Sequence, residues 1–210
     1  RGVFVRIFKQ LILLLLLGFF LGILGGPFYI WHYIHPDNSL LSINRVHLAW
    51  DNVDYLNIEE ISKVISAELK AKNFFTINVS ALQNELSKNP WISEVNVKRK
   101  WFNELEVTFT EQKPVARWNG SLITREGIVF TPQDTQALDF FTIYSETEDR
   151  EALVRRTLTI NEALAVHGLQ LSALRYDNRE AWTLWLKEGV TLYFGAKDFD
   201  DKFTLFLEKY

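Results

Sequence analysis

The sequence predicts an α+β protein: a single N-terminal transmembrane helix, a compact β-α-α-β-β domain, and a mixed β-domain with flanking helices. Three observations predict it. Leu11 to Trp31 carries no charged residue. Between residues 41 and 112, apolar residues repeat first at helical and then at strand spacing. Beyond residue 113, short alternating runs are broken by Asn-Gly and Glu-Gly turns around one long amphipathic stretch.

The chain divides accordingly into a cytoplasmic stub at 1–10, a transmembrane signal anchor at 11–34, a first domain at 41–112 and a second at 113–210. At about 1.5 Å per residue, the apolar run is long enough for the roughly 30 Å hydrocarbon core of a bilayer. It exceeds the apolar region of a cleavable signal and lacks an Ala-x-Ala site, so it reads as uncleaved. Arg1, Arg6 and Lys9 are the only charged residues before Asp37, which places the N-terminus in the cytoplasm and the remainder outside. Tyr29, Trp31 and Tyr33 form an outer aromatic belt. Gly18, Gly22 and Gly26 recur every fourth residue on one helix face, either as a packing surface for a second helix or as the ordinary glycine content of a membrane helix.

The polar stretch HPDNS links the span to a strand at Leu41 to Leu48. Asn57 and Glu60 have capping-box spacing ahead of the stripe Ile58, Ile61, Ile65 and Leu69, predicting a helix that ends near Asn73. Ser80 and Gln83 repeat the signal before Leu82 and Leu86, and Pro90 closes this shorter helix. Val95 and Val97 alternate with polar residues, as do Leu105, Val107 and Phe109, giving two strands joined by the turn RKWFNE. The basic run Lys98 to Lys100, with Arg99 at its centre, reads as a solvated strand end or as a protein-binding edge.

In the second domain a strand is expected at Leu138 to Tyr144 and a helix from about Arg150 to His167, stopped by Gly168. Strands follow at Leu169 to Tyr176, Trp182 to Leu186 and Val190 to Phe194, the last two a hairpin across KEG. A final helix starts near Asp198, whose carboxylate is placed to cap it. Trp118 and Trp182 fall on strand alternations and read as core.

Composition excludes several function classes. Of 210 residues none is Cys, which removes disulfides, thiolate catalysis and Cys-bound metals, and none is Met, so Arg1 is not a translation start. The net charge is −3; beyond the N-terminal three, 20 basic residues face 26 acidic ones, which argues against nonspecific nucleic-acid binding. His32, His35, His47 and His167 are scattered without metal-ligand spacing. Acidic pairs such as Glu59 and Glu60, and the cluster Asp198, Asp200 and Asp201, sit in first helical turns where the helix dipole accounts for them. No nucleophile elbow, Walker loop or dinucleotide fingerprint is present, so the reading is not an enzyme, with no cofactor and no metal.

Asn73 to Pro132 carries a distinctive set of signatures. They are Phe-Phe before the short helix, Pro-Trp-Ile before a strand, a basic run ending in Trp, Glu-x-x-Pro-Val-Ala-x-Trp, and Gly-x-x-Phe. On these the chain resembles the FtsQ/DivIB family of bacterial cell-division proteins. It departs from that family's pattern at Phe102 and Asn103, where Pro and Asp commonly follow Trp, and at VHLAWDN, which lacks a Val-x-Gly in the first strand. Those departures leave the turn geometry and the register of that strand open.

The resemblance implies that residues 41–112 form a POTRA (polypeptide-transport-associated) domain and that the β-domain, C-terminally truncated at Tyr210, docks FtsB by strand addition. It implies a bitopic inner-membrane scaffold of the divisome that binds FtsB and FtsL, links to FtsK, FtsW and FtsI, and thereby controls septal peptidoglycan synthesis from the periplasm. It places Arg179, which precedes EAWTLWL, near the partner surface, with Phe206 and Tyr210 bordering the same groove. An unengaged strand-end arginine and core packing of Phe206 are the competing readings. Two other functions compete with the scaffold, a membrane-tethered cell-wall hydrolase and a POTRA-containing outer-membrane assembly factor.

Overall fold

The fold is that of a computed structural model, which describes residues 2–34, 42–70 and 72–210, without the side chains of residues 2–11, 13, 24, 31, 33 and 34. The linker HPDNS and His35, together with the side chains of Arg6, Lys9, Trp31 and Tyr33, therefore lie outside the described residues. The chain forms two compact units, one of Arg1–Lys88 with Glu94–Thr110, the other of Asn89–Ser93 with Glu111–Tyr210. Trp91 of the Pro-Trp pair belongs to the second, where its ring meets Phe130 at 5.5 Å.

Helix α1 (Gly2–Ile34) has 33 residues and contains Pro27. Its described apolar side chains, Leu14 to Leu17, Phe19 to Leu21 and Phe28 to Ile30 among them, are exposed. Among the described residues no helix is long and apolar enough to cross a membrane.

In the first unit β1 (Arg45–Trp50), α2 (Ile58–Leu69), α3 (Val79–Leu86), β2 (Ile92–Lys100) and β3 (Glu104–Glu111) follow in the expected β-α-α-β-β order. The sheet runs β1-β3-β2, with β1 parallel to β3 and Arg45 opposite Glu104. The first strand therefore starts four residues and ends two residues later than its hydropathy suggests, because its pairing with β3 outweighs its weak alternation. The oxygen of the Asn57 side chain accepts from the Glu59 and Glu60 amides and starts α2. α2 ends at Leu69 rather than Asn73, because the buried Asn73 side chain builds a turn of its own, accepting from the Phe75 and Thr76 amides at 3.0 Å. Asn78, not Ser80, caps α3, accepting from the Ala81 amide at 3.0 Å. Ile61, Ile65, Leu82, Leu86, Val97, Leu105 and Val107 are buried and form the core.

The second unit is a seven-stranded sheet with two helices. Its elements are β4 (Pro114–Trp118), β5 (Ser121–Thr124), β6 (Val129–Phe130), β7 (Thr142–Tyr144), α4 (Arg150–Val166), β8 (Leu171–Tyr176), β9 (Trp182–Leu186), β10 (Thr191–Gly195) and α5 (Phe199–Lys209). Strand order is β10-β9-β8-β7-β4-β5-β6. β7 begins at Thr142 rather than Leu138, because the Thr135 and Leu138 carbonyls face the Arg117 guanidinium instead of a strand partner. Trp118, Ile143, Leu153, Val154, Leu174 and Leu184 lie in the core cluster with Phe194, Phe199 and Phe203, and Trp182 is half-buried against it.

Two hairpins share one turn geometry. In each, the first residue's carbonyl accepts from a left-handed glycine and its amide donates one residue further on: Leu186 with Gly189 and Val190, and Thr124 with Gly127 and Ile128. Gly127, at φ +79°, also has no room for a side chain, since a Cβ would lie 2.8 Å from the Glu151 nitrogen.

Candidate functional site

The sheet of the second unit ends at β10, which pairs with β9 on one side only among the described residues. Leu186 and Val190 form the hydrogen-bonded pair that closes the hairpin, so pairing alternates outward from there. Thr191 opposite Trp185 and Tyr193 opposite Thr183 are the non-hydrogen-bonded positions, whose main-chain groups point away from β9. Tyr193 is 79% exposed. An outer strand edge of this kind presents free donors and acceptors to an added strand.

α5 frames that edge. Phe199 and Phe203 stack at 5.6 Å, Phe194 meets Phe199 at 5.1 Å, and Trp182 lies 4.6 Å from Phe199. The Lys202 ammonium donates to the Phe194 carbonyl at 3.0 Å and the Lys197 carbonyl at 2.7 Å, fastening the helix to the end of β10. An ion pair between Arg156 and Asp200 joins α4 to α5. Asp198 does precede α5, but its backbone is left-handed and its carboxylate makes no cap, so the sequence expectation of a capping role is corrected.

Phe206 and Tyr210 come together, their rings 5.5 Å apart. With Lys202, Leu205 and Lys209 they line a shallow groove of about 330 Å³ on the outer side of α5. Phe206 is half-buried against the core, whereas Tyr210 is 63% exposed. Arg179 lies at the other end of the helix, on the β8–β9 turn three residues before Trp182. That turn is built on Asp177, whose carboxylate accepts from the Arg179 amide at 2.8 Å and the Ala181 amide at 3.0 Å. Those bonds hold its pKa below the ordinary value of 3.8, the Ala181 amide contributing most. Burial, with the nearby Glu180 and Asp177 charges, raises the Tyr176 phenol above 10.0.

Arg99 lies in the first unit, where its guanidinium donates to the Ile77 carbonyl at 2.6 Å. In the same strand pair Lys100 meets Glu106 at 2.6 Å, which lowers the Glu106 pKa. A Cβ added at Gly18, Gly22 or Gly26 would meet nothing within 4 Å. Among the described residues no group of three His, Cys, Asp or Glu is placed to hold a metal ion.

Sequence reasoning missed one surface. Register places Tyr144, Arg175, Trp185 and Tyr193 on the sheet face opposite Leu174 and Leu184. The Arg175 guanidinium lies 5.9 Å from the Tyr144 ring and 5.6 Å from Trp185, beside an open depression of about 610 Å³. The signal was present: Trp185 and Tyr193 occupy the polar phase of their strands.

Residues 51–112 match the family described as POTRA domain, FtsQ-type, and residues 116–210 match Cell division protein FtsQ/DivIB, C-terminal. The Cell division protein FtsQ of Coxiella burnetii is 31% identical over 159 residues, 75% of this chain and 65% of that protein. Its counterpart in Neisseria gonorrhoeae is 28% identical over 188 residues, 89% of this chain and 75% of its own length. In Cellvibrio japonicus the identity is 27% over 150 residues, 71% of this chain and 47% of the relative. The chain thus spans less than two thirds of the length of some curated relatives it matches.

Proposed function

We propose a function from one premise: the chain belongs to the FtsQ/DivIB family of bacterial cell division proteins. It serves as a non-catalytic, bitopic scaffold at the division site. α1 is its inner-membrane anchor, with the N-terminus in the cytoplasm and both units in the periplasm. The exposed apolar side chains along α1 and the basic residues that precede its uncharged run support that placement. The second unit binds FtsB and, with it, FtsL, and so couples early division proteins such as FtsK to FtsW and FtsI and to septal peptidoglycan synthesis.

The open outer edge of β10 carries this reading. A partner strand adds to β10 on that side of the sheet, with the Phe206 and Tyr210 groove and the Arg179 turn bordering it. The hydrolase and the outer-membrane assembly factor have no comparable support.

Titration calorimetry of the full chain in nanodiscs against the FtsB-FtsL complex tests the reading. Binding is expected, with its loss in Tyr193→Pro, which removes an outward-facing donor while leaving the β9 ladder intact. No binding by the unaltered chain, or undiminished binding by the variant, overturns it.

A further inference from the structure

The first unit carries an aromatic ridge that the scaffold function does not use. Phe74 is buried at its base. Phe75 meets Phe74 at 5.4 Å, Trp101 meets Phe74 at 6.0 Å, and Phe102 meets Trp101 at 5.0 Å. The three outer rings are exposed, Phe75 by 49%, Trp101 by 77% and Phe102 by 51%. Phe75, from the α2–α3 connection, is joined through Phe74 to Trp101 and Phe102 of the β2–β3 turn, and the three exposed rings form a patch that water solvates poorly.

Two observations say what covers it. The first is where the chain enters. The Asn44 amide donates to the Asn103 carbonyl at 2.9 Å, Arg45 stands opposite Glu104, and Ser42 bridges Asn73, so the segment arriving from α1 enters beside the ridge. From Ile34 to Asn44 the chain can reach at most about 35 Å, so the ridge end of the unit stays close to the end of α1. The second is charge. Lys98, Arg99, Lys100, Arg45 and Lys72 surround the ridge, against Glu104, Glu106 and Glu68. The balance at this end is positive although the chain beyond α1 is acidic.

We propose that the ridge of Phe75, Trp101 and Phe102 inserts into the interface of an anionic bilayer and seats the first unit on the membrane surface. This rests on the reading of α1 as a membrane anchor. Trp and Phe occupy the headgroup region readily, and basic residues within a Debye length add attraction to anionic lipid. The anchor supplies proximity and the ridge supplies orientation.

The chain has no cysteine, so single spin labels are unambiguous. Labels at Leu16→Cys, Phe75→Cys and Asn96→Cys are placed in the full chain in nanodiscs of phosphatidylcholine with and without phosphatidylglycerol. Collisions with oxygen and with an aqueous nickel chelate then report depth. Leu16 is expected at mid-bilayer, Phe75 at the interface with severalfold lower nickel accessibility than Asn96, and more so with phosphatidylglycerol. In Trp101→Ser/Phe102→Ser the Phe75 label is expected to return to water while Leu16 stays buried. A deep Leu16 with an aqueous Phe75 overturns the ridge proposal alone, as does an interfacial Phe75 that the double variant leaves unmoved. An aqueous Leu16 removes the anchor reading and this proposal with it.

Discussion

The Arg99 guanidinium donates to the Ile77 carbonyl oxygen at 2.6 Å, across the 22 residues between strand β2 and the turn that opens α3. The contact gives Arg99 a role inside its own domain, since a charged donor satisfies a backbone acceptor ahead of the Asn78 cap. Hydrogen bonds to charged groups contribute about 1.5–3 kcal/mol, and the exposure of Arg99 places its share near the lower figure. Arg99→Ala is expected to destabilise the first unit by about 1.5 kcal/mol. Hydrogen exchange at the β2 and β3 amides measures the loss, and Arg99→Lys should recover part of it.

Asn73 is fully buried, and its side-chain oxygen accepts from the Phe75 and Thr76 amides. In Asn73→Ala both donors lose that acceptor, and because Phe75 and Thr76 are exposed, water can partly replace it, at a net cost of about 1 kcal/mol. The expected signature is rapid exchange of those two amides together with a lower unfolding midpoint. Unchanged exchange would show that the turn does not depend on its asparagine.

Leu174 and Leu184 face each other in register on β8 and β9, and both are fully buried. Leu174→Ala removes three carbons from the centre of the second unit, and buried leucine truncations cost about 2–5 kcal/mol. Denaturant unfolding should show that loss at the Trp182 and Trp185 fluorescence, while the first unit keeps its exchange protection.

The parts of this fold legible in sequence are those fixed by local chemistry. Asn57 caps α2, Trp182, Leu184 and Leu186 recur at every second position of β9, and Gly189 supplies the left-handed turn residue, so each could be placed without its neighbours. The misplaced elements depend on partners distant in sequence. β1 takes its bounds from β3, whose Glu104 pairs with Arg45 across 59 positions, and Leu138 leaves β7 because Arg117 takes its carbonyl. The capping-box pattern of Ser80 with Gln83 points past Asn78, which has Ala81 three residues on and caps α3 with its side-chain oxygen alone. The partner-edge residues follow from resemblance alone, since pattern does not say which strand ends a sheet.

Phe206 and Tyr210 pack against each other with tilted rings, yet they should respond differently to truncation. Tyr210 is 63% exposed, so Tyr210→Ala should leave the melting temperature unchanged. Where the groove borders the proposed partner, losing an aromatic contact of this kind costs more than about 1 kcal/mol, a weakening of several-fold or greater. Phe206→Ala should lower both stability and affinity, because its ring also packs on the core. Calorimetry against the FtsB-FtsL complex, paired with thermal melts, separates the two. Full affinity in Tyr210→Ala would remove the groove from the docking surface.

Asp177 links acidity to the turn that carries Arg179. Its carboxylate accepts from the Ala181 and Arg179 amides, and these bonds depress its folded pKa below the unfolded value near 3.8. For a depressed carboxylate the unfolded state binds protons first as pH falls, so the contribution to stability is complete above 3.8 and disappears as pH drops through the folded pKa. Protonation then weakens both acceptor interactions and frees residues 177 to 181. Carboxyl NMR should place the Asp177 midpoint below 3.8, and exchange of the Arg179 and Ala181 amides, corrected for intrinsic rates, should rise through that midpoint. Asp177→Asn should flatten the response while keeping a weaker neutral acceptor, and the Arg179 turn should then be equally mobile at neutral and acid pH. A midpoint at or above 3.8 would mean that the two amides do not hold the charged carboxylate.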